Sequence, residues 1–238
     1  MEDVTDHVFR DLIASLGAPD VFFTEFALAD VAADARRADA RRRRDDAAQL
    51  PGRLRIGLHD RPLVAQIWGT RPEIFERAAA NLADLGFDGV DLNMGCPIRK
   101  IRKHGACSQL IANPSLAAEL IAATKEGARE LPVSVKTRIG LEHVETERWC
   151  AFLLSQGLDA LTVHGRTAAE MSDGRARWEE ARKVVELRDS LAPETLIIGN
   201  GDVRHPGEFL SKHRRYRVDG VMVGRGIFTD PYIFAGSG

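Results

Sequence analysis

Apolar residues along the chain fall into short, nearly unbroken runs, separated by longer stretches in which they recur every three or four positions. The short runs are Val21–Phe26, Leu63–Trp68, Val90–Asn93, Val133–Arg138, Ala160–His164, Leu196–Gly199 and Gly220–Val223, and they close on polar or glycine-containing turns. Such runs suit parallel strands covered on both faces. Between them the period changes. Pro72–Leu85 sets Ile74, Phe75, Ala78, Ala79, Leu82 and Leu85 at helical spacing. Pro114 and Ser115 open another helix through Leu116, Leu120, Ile121 and Ala128, and further helices are predicted over Val144–Ser155, Trp178–Leu191 and Pro206–His213. Residues 1–6 read as a loop and N-cap feeding a helix at about His7–Leu16.

Strand and helix alternate, which implies a parallel sheet with right-handed crossovers. Seven such strands predict a (β/α)8 TIM barrel rather than a shorter open sheet. A helix at His7–Leu16 needs a strand before it, so the chain is expected to enter in the first βα loop, with the barrel's first strand missing. No linker or repeat interrupts the pattern, and residues 1–238 are expected to form one domain.

Composition narrows the partners. The 238 residues are 44% hydrophobic and 29% charged, with a formal net charge of −2, so there is no global pull toward nucleic acid. The exception is local: Arg36, Arg37, Arg41, Arg42, Arg43 and Arg44 lie in one helix-favouring segment, either a solvated helix face or a contact to an RNA backbone. Three cysteines, Cys96, Cys107 and Cys150, are too few for a disulfide framework and lack the C-x-x-C spacing of a metal site. No metal is expected. No apolar run reaches the ~20 residues that span a bilayer, and no signal peptide opens the chain, so the expected location is cytoplasmic. The sequence carries no mark of oligomeric state.

The chemistry is expected at the C-terminal ends of the strands, where TIM-barrel sites form. These ends carry Gln66; Asn93-Met94-Gly95-Cys96-Pro97; Lys136 and Arg138; His164-Gly165-Arg166; Asn200-Gly201-Asp202; and Gly224-Arg225-Gly226. The glycines of the last two endings allow close backbone approach to a phosphate-bearing ligand. Lys136 and His164, on adjacent strands, could stabilise negative charge on a reduced ring system. Arg138 shares a strand face with Lys136 and could grip a substrate carbonyl or phosphate. Cys96 stands apart from Cys107 and Cys150, which read as small buried hydrophobes. It follows a strand end in a Gly-Cys-Pro turn, and a thiol with a pKa near ~8.5 can donate a proton at neutral pH.

These motifs together resemble the tRNA-dihydrouridine synthase family. Leu92-Asn93-Met94-Gly95-Cys96-Pro97, then Lys100 and Gly105-Ala106, is similar to that family's signature loop. Met1–Asp6 with Phe9-Arg10 resembles its opening, entered one residue late. Thr24-Glu25-Phe26, Val64-Ala65-Gln66, Val135–Arg138, Val163–Thr167, Gly199–Asp202 and Val223–Gly226 match in the family's order, so the resemblance covers essentially the whole chain. It implies FMN as cofactor, NADPH as electron donor and tRNA as substrate. It places Met1, Gln66, Lys136, His164, Asn200, Gly201, Asp202, Gly224 and Arg225 at the flavin, Asn93, Arg138 and Arg166 toward the substrate, and Cys96 as the proton donor to C5 of a uracil that takes hydride at C6. Against the family's pattern, the opening strand and its proline are missing, and the chain stops before the family's C-terminal helical domain, as a fragment or a trimmed member would. Two alternatives stay open: an FMN barrel acting on a small molecule, of the dihydroorotate dehydrogenase type, and a non-catalytic RNA-binding remnant.

Overall fold

The computed structural model of the chain describes residues 4–41 and 52–236, the side chains of residues 36–41 excepted. Met1 and Arg42–Arg44 lie outside the described residues. Parallel strands alternate with helices in chain order, which is the TIM-barrel class. The chain forms two compact units: Met1–Leu92 with Leu120–Val133 and Phe234–Gly238, and Asn93–Glu119 with Ser134–Ile233.

In the first unit, α1 (His7–Gly17) begins at Asp6, whose carboxylate accepts from the Phe9 N–H at 3.0 Å. Strand β3 (Leu63–Trp68) pairs in parallel with β1 (Phe22–Phe23), β2 (Ala27–Leu28) and the first residues of β4 (Gly89–Met94). Of the arginine-containing segment, Arg36, Arg37 and Arg41 lie in helix α2 (Ala29–Arg41), as its composition predicts. Helix α3 (Pro72–Asp84) buries Ile74, Phe75, Ala78, Ala79 and Leu82 of the stripe read from the sequence, while Leu85, its last expected member, caps the helix half-buried. Of the strand expected over Val21–Phe26 only Phe22–Phe23 forms regular strand, as β1, and β2 follows just beyond the expected range. Between them the Gln66 N–H bonds to the Thr24 hydroxyl at 3.0 Å, and that hydroxyl donates to the Glu25 carbonyl at 2.8 Å. A side-chain oxygen has replaced a ladder carbonyl, which interrupts regular pairing.

Three buried charged side chains, Arg10, Asp60 and Glu25, organise the start of this unit. Arg10 pairs with Asp60 at 2.8 Å, the side chains being 3% and 0% exposed. Arg10 also donates to the carbonyls of Thr5 and Arg55, and Asp60 accepts from the Gly57 N–H, so the pair's remaining polar atoms are engaged. The Glu25 carboxylate accepts from the Val4 and Thr5 N–H groups, which holds the entering chain in place.

The second unit contains the end of β4, α4 (Arg99–Arg102), the start of α5 (Pro114–Ala128), nearly all of β5 (Val133–Arg138), α6 (Thr146–Leu154), β6 (Ala160–His164), α7 (Trp178–Leu191), β7 (Leu196–Asn200), α8 (Gly207–Tyr216), β8 (Gly220–Met222) and α9 (Gly226–Thr229). Strands β5 to β8 pair in sequence order, all parallel. Two tryptophans pack helices onto these strands. Trp149 is fully buried and its indole N–H bonds to the Thr137 hydroxyl at 2.8 Å. Trp178 covers Gly199 so closely that a Cβ there would lie 2.2 Å from its ring. Its own N–H donates to the Gly201 carbonyl at 2.9 Å. Among the described residues, no helix is long and apolar enough to cross a membrane.

Candidate functional site

The register of β5, β6 and β7 sets Arg138 beside His164 and His164 beside Asn200. Register partners in parallel strands project to the same face, so these three side chains share one surface at the C-terminal ends of their strands. Two residues earlier Lys136, beside Thr162, belongs to the same face.

His164 is the electrostatic centre of the group. Burial first, and then the positive charges of Lys136, Arg138, Arg166 and Arg225, push its pKa down to about 2. Four cations from three loop or strand endings thus act on one neutral imidazole. The result is a region of surplus positive charge suited to an anion.

Arg138 joins this cluster to the cysteine turn. Its Nε donates to the Gly95 carbonyl at 2.8 Å, and its Nη1 donates to the carbonyls of Thr167 at 2.9 Å and Met171 at 2.7 Å. Nη2 makes no hydrogen bond among the described residues and is not a buried, unpaired atom, so it remains for a ligand. Burial first, with Arg166 and Arg225 in the same sense, lowers the Arg138 pKa to about 10, while Cys96 and Glu170 oppose the shift. Cys96 is therefore close enough to Arg138 to act on it.

The Cys96 turn is built locally. Oδ1 of Asn93 accepts from the N–H groups of Gly95 at 3.1 Å and Cys96 at 2.9 Å, an Asx-type turn. The Cys96 carbonyl accepts from the Ser108 hydroxyl at 2.9 Å. A Cβ at Gly95 would lie 3.3 Å from the backbone of Lys136 and Thr137, which seats the turn against β5. Cys96 is half-buried, whereas Cys107 and Cys150 are buried, as expected of small apolar side chains. Burial first raises the Cys150 pKa to about 12.

Arg166 is 2% exposed. Its Nη2 lies 2.8 Å from both carboxylate oxygens of Asp202, its Nε donates to the Asp173 carbonyl at 3.0 Å, and its Nη1 approaches Nε2 of His164 at 3.2 Å. Asp202, at φ +52°, also accepts from the Ala176 N–H at 2.7 Å. Partial burial works to raise the Asp202 pKa, but the Ala176 N–H and the Arg166 guanidinium outweigh it and hold it below the usual value.

The loop after β6 is fastened from several sides. Glu170 takes both Arg177 nitrogens, at 2.8 and 2.6 Å, and the Thr167 N–H at 2.7 Å. The Arg177 bonds first, then Thr167, against the effect of burial, hold the Glu170 pKa at about 2.

Of the late glycines, Gly201 is the constrained one. At φ +123° its Cβ would meet Ala176 at 2.6 Å and Cδ2 of His164 at 3.0 Å. Gly224, by contrast, faces open space. Asn200 donates from its side chain to the Met222 carbonyl at 2.9 Å, fastening β7 to β8.

The second unit therefore brings together Asn93, Cys96, Lys136, Arg138, His164, Arg166, Asn200, Gly201, Asp202, Gly224 and Arg225. Gln66 belongs to the first unit, where its side chain donates to the buried Asp91 at 2.7 Å. Met1 falls outside the described residues. Sequence reasoning missed Ser108, Glu170 and Arg177. Ser108 follows Cys107, and the sequence marks it only as part of a loop. The Glu170–Arg177 pair spans a loop in which neither residue has periodic neighbours. Among the described residues, no group of three or more His, Cys, Asp or Glu is arranged to hold a metal ion.

Comparison with known proteins adds a family. The model described as dihydrouridine synthase (Dus) matches residues 1–237. A protein named probable tRNA-dihydrouridine synthase 2 from Bacillus subtilis (strain 168) is 45% identical over 235 residues, covering 98% of this chain and 69% of its own length. A probable tRNA-dihydrouridine synthase from Staphylococcus aureus (strain COL) is 43% identical, covering 98% of this chain and 68% of its own length. Among solved structures, a mutant flavocytochrome b2 with benzoylformate superposes with a TM-score of 0.55 at 16% identity, over 93% of this chain and 62% of that one. The dihydroorotate dehydrogenase DHODH from Eimeria tenella, solved with ferulenol, gives 0.53 at 14% identity, over 85% and 59%. Those two likenesses show the fold.

Proposed function

Because this chain belongs to the dihydrouridine synthase family, we propose that it reduces uridine in tRNA to 5,6-dihydrouridine, with FMN held at the His164 cluster, NADPH as electron source and Cys96 as proton donor. The observation that carries this reading is the gathering of Lys136, Arg138, Arg166 and Arg225 around a neutral His164, beside the Cys96 turn.

The residues fit a phosphate-bearing flavin on charge grounds. The nearby carboxylates of Asp202 and Glu170 are engaged by Arg166 and Arg177, so the cluster keeps net positive character. Lys136, His164, Asn200, Gly201, Gly224 and Arg225 would hold the group, with Asp202 behind them. When bound and reduced, a flavin supplies the hydride taken up by C6 of the uracil.

The chain's own residues supply the rest. Cys96 delivers its thiol proton to C5, and the half-buried turn held by Asn93 and Ser108 fixes where that sulfur is attached. Arg138, anchored at three carbonyls, presents Nη2 to the charge that develops on the C4 oxygen. Asn93 orders the turn that meets the base, and Arg166 orders the loop beyond it. A uridine in folded tRNA must leave its stack to reach such a site, at a cost of a few kcal/mol.

The test is to purify the chain, titrate FMN, add NADPH and tRNA lacking dihydrouridine, and measure the modified base by mass spectrometry. Flavin binding with NADPH-dependent dihydrouridine formation supports the reading. A colourless protein that forms none rejects it.

A further inference from the structure

We propose that Asp202 is a positioning residue which, through Arg166, fixes the tautomer of His164 so that Nδ1 is the ring's hydrogen-bond donor toward bound flavin. The proposal rests on the reading that this cluster holds a flavin, but the tautomer itself is a property of the chain alone.

A guanidinium only donates. With Arg166 Nη1 at 3.2 Å, Nε2 of His164 must therefore be the acceptor. A neutral imidazole carries one proton, which is then on Nδ1. Three anchors set the direction of Nη1: the Asp202 carboxylate on Nη2, the Asp173 carbonyl on Nε and the Gly174 carbonyl on Nη2. Only Asp202 contributes a charge among them. Its place is set by the backbone, since it follows Gly201, whose own position packs against the Nε2–Cδ2 edge of the imidazole. That edge is thus closed by Arg166 and Gly201. Nδ1 has no hydrogen-bond partner among the described residues and is not a buried, unpaired atom.

The neutral state follows from the same surroundings. The charges of Lys136 and Arg138 on β5, Arg166 after β6 and Arg225 after β8 all bear on the ring, and the Asp202 carboxylate is bound to Arg166. A swapped tautomer would turn Nδ1 from donor to acceptor and reverse the sense of any hydrogen bond to a ligand. The family resemblance implies Asp202 at the cofactor directly; with its oxygens taken by Arg166 and the Ala176 N–H, its influence passes through the arginine.

The experiment uses the full chain labelled with nitrogen-15 histidine. Long-range nitrogen–proton correlation spectra report each ring nitrogen, and the His164 signals are identified by their loss in His164→Gln. Wild type is expected to show a protonated Nδ1 and a lone pair on Nε2, unchanged from about pH 7 to about pH 5. Asp202→Asn is expected to give mixed tautomers and to weaken FMN, titrated by fluorescence quenching, by about tenfold. Arg166→Lys gives the same two changes and serves if the first variant does not fold, while Asp202→Glu restores the wild-type signature. A protonated Nε2 in wild type, or spectra unmoved by both disruptive substitutions, would overturn the proposal. If wild type shows the Nδ1 proton but FMN does not bind, the tautomer assignment stands and the flavin reading falls.

Discussion

Arg138 donates its Nε to the carbonyl of Gly95 at 2.8 Å, so the residue that ends β5 also holds the turn that carries Cys96. The same guanidinium fastens Thr167 and Met171, which makes it a strut between the β4 and β6 loops. Arg138→Met should strip donors from three carbonyls and lower stability by about 2–4 kcal/mol. Dihydrouridine formation should fall by more than stability alone explains, with FMN affinity changed less. Urea denaturation and a tRNA assay on the folded variant measure the two effects separately.

Asn93 acts one step earlier, inside the turn. Asn93→Ala leaves the Gly95 and Cys96 N–H groups without their acceptor and should cost about 1–2 kcal/mol. Asn93→Asp keeps an oxygen in that place and should recover most of the loss in thermal unfolding. Equal destabilisation by both substitutions would argue against the Asx turn as the reason for this residue.

Gly201 is the position where a single methyl group should separate folding from ligand binding. Gly201→Ala presses on Ala176 and on the His164 ring at a backbone φ of +123°. A cost of about 1–3 kcal/mol is expected, with FMN binding weakened about tenfold or more. Gly224→Ala, facing open space, should leave stability nearly unchanged. Calorimetry with and without FMN compares them.

His164 gives a pH dependence whose sign can be stated. Its pKa falls from 6.5 to about 2 on folding, so between these values the unfolded chain binds more protons than the folded one. Its contribution to stability therefore declines as pH drops below 6.5 and is flat above it. Relative to wild type, His164→Gln should gain stability on acidification by up to about 1.4 kcal/mol per pH unit. Urea midpoints of the two proteins from neutral pH down to about pH 5 read this directly. A difference that stays constant would mean that the ring takes up a proton in the folded protein.

The sequence reading succeeded where one local signal sufficed. Leu63–Trp68, Val133–Arg138 and Ala160–His164 are strands over the predicted residues, because short stretches rich in β-branched and apolar residues and bounded by turns leave little choice. Val21–Phe26 misled because the Thr24 hydroxyl, not composition, breaks the ladder. Short helices such as α4 have too few residues to show a period. In the candidate site, the strand-end residues were legible one by one, since glycine, lysine, histidine and cysteine are conspicuous after apolar runs. What Arg166 and Asp202 do to each other was not, because they are 36 positions apart and meet only through strand register. The Arg138 struts were hidden for the same reason.

In the proposed reaction Cys96 gives the proton that completes uracil reduction, and the Cys96→Ala variant isolates that step. Rapid mixing of the FMN-loaded variant, first with NADPH and then with tRNA lacking dihydrouridine, separates flavin reduction from base reduction. A proton-donor role for Cys96 predicts unchanged FMN affinity and flavin reduction by NADPH, with dihydrouridine formation slowed by about a hundred- to ten-thousand-fold. Dihydrouridine formed at the wild-type rate without the thiol would contradict it.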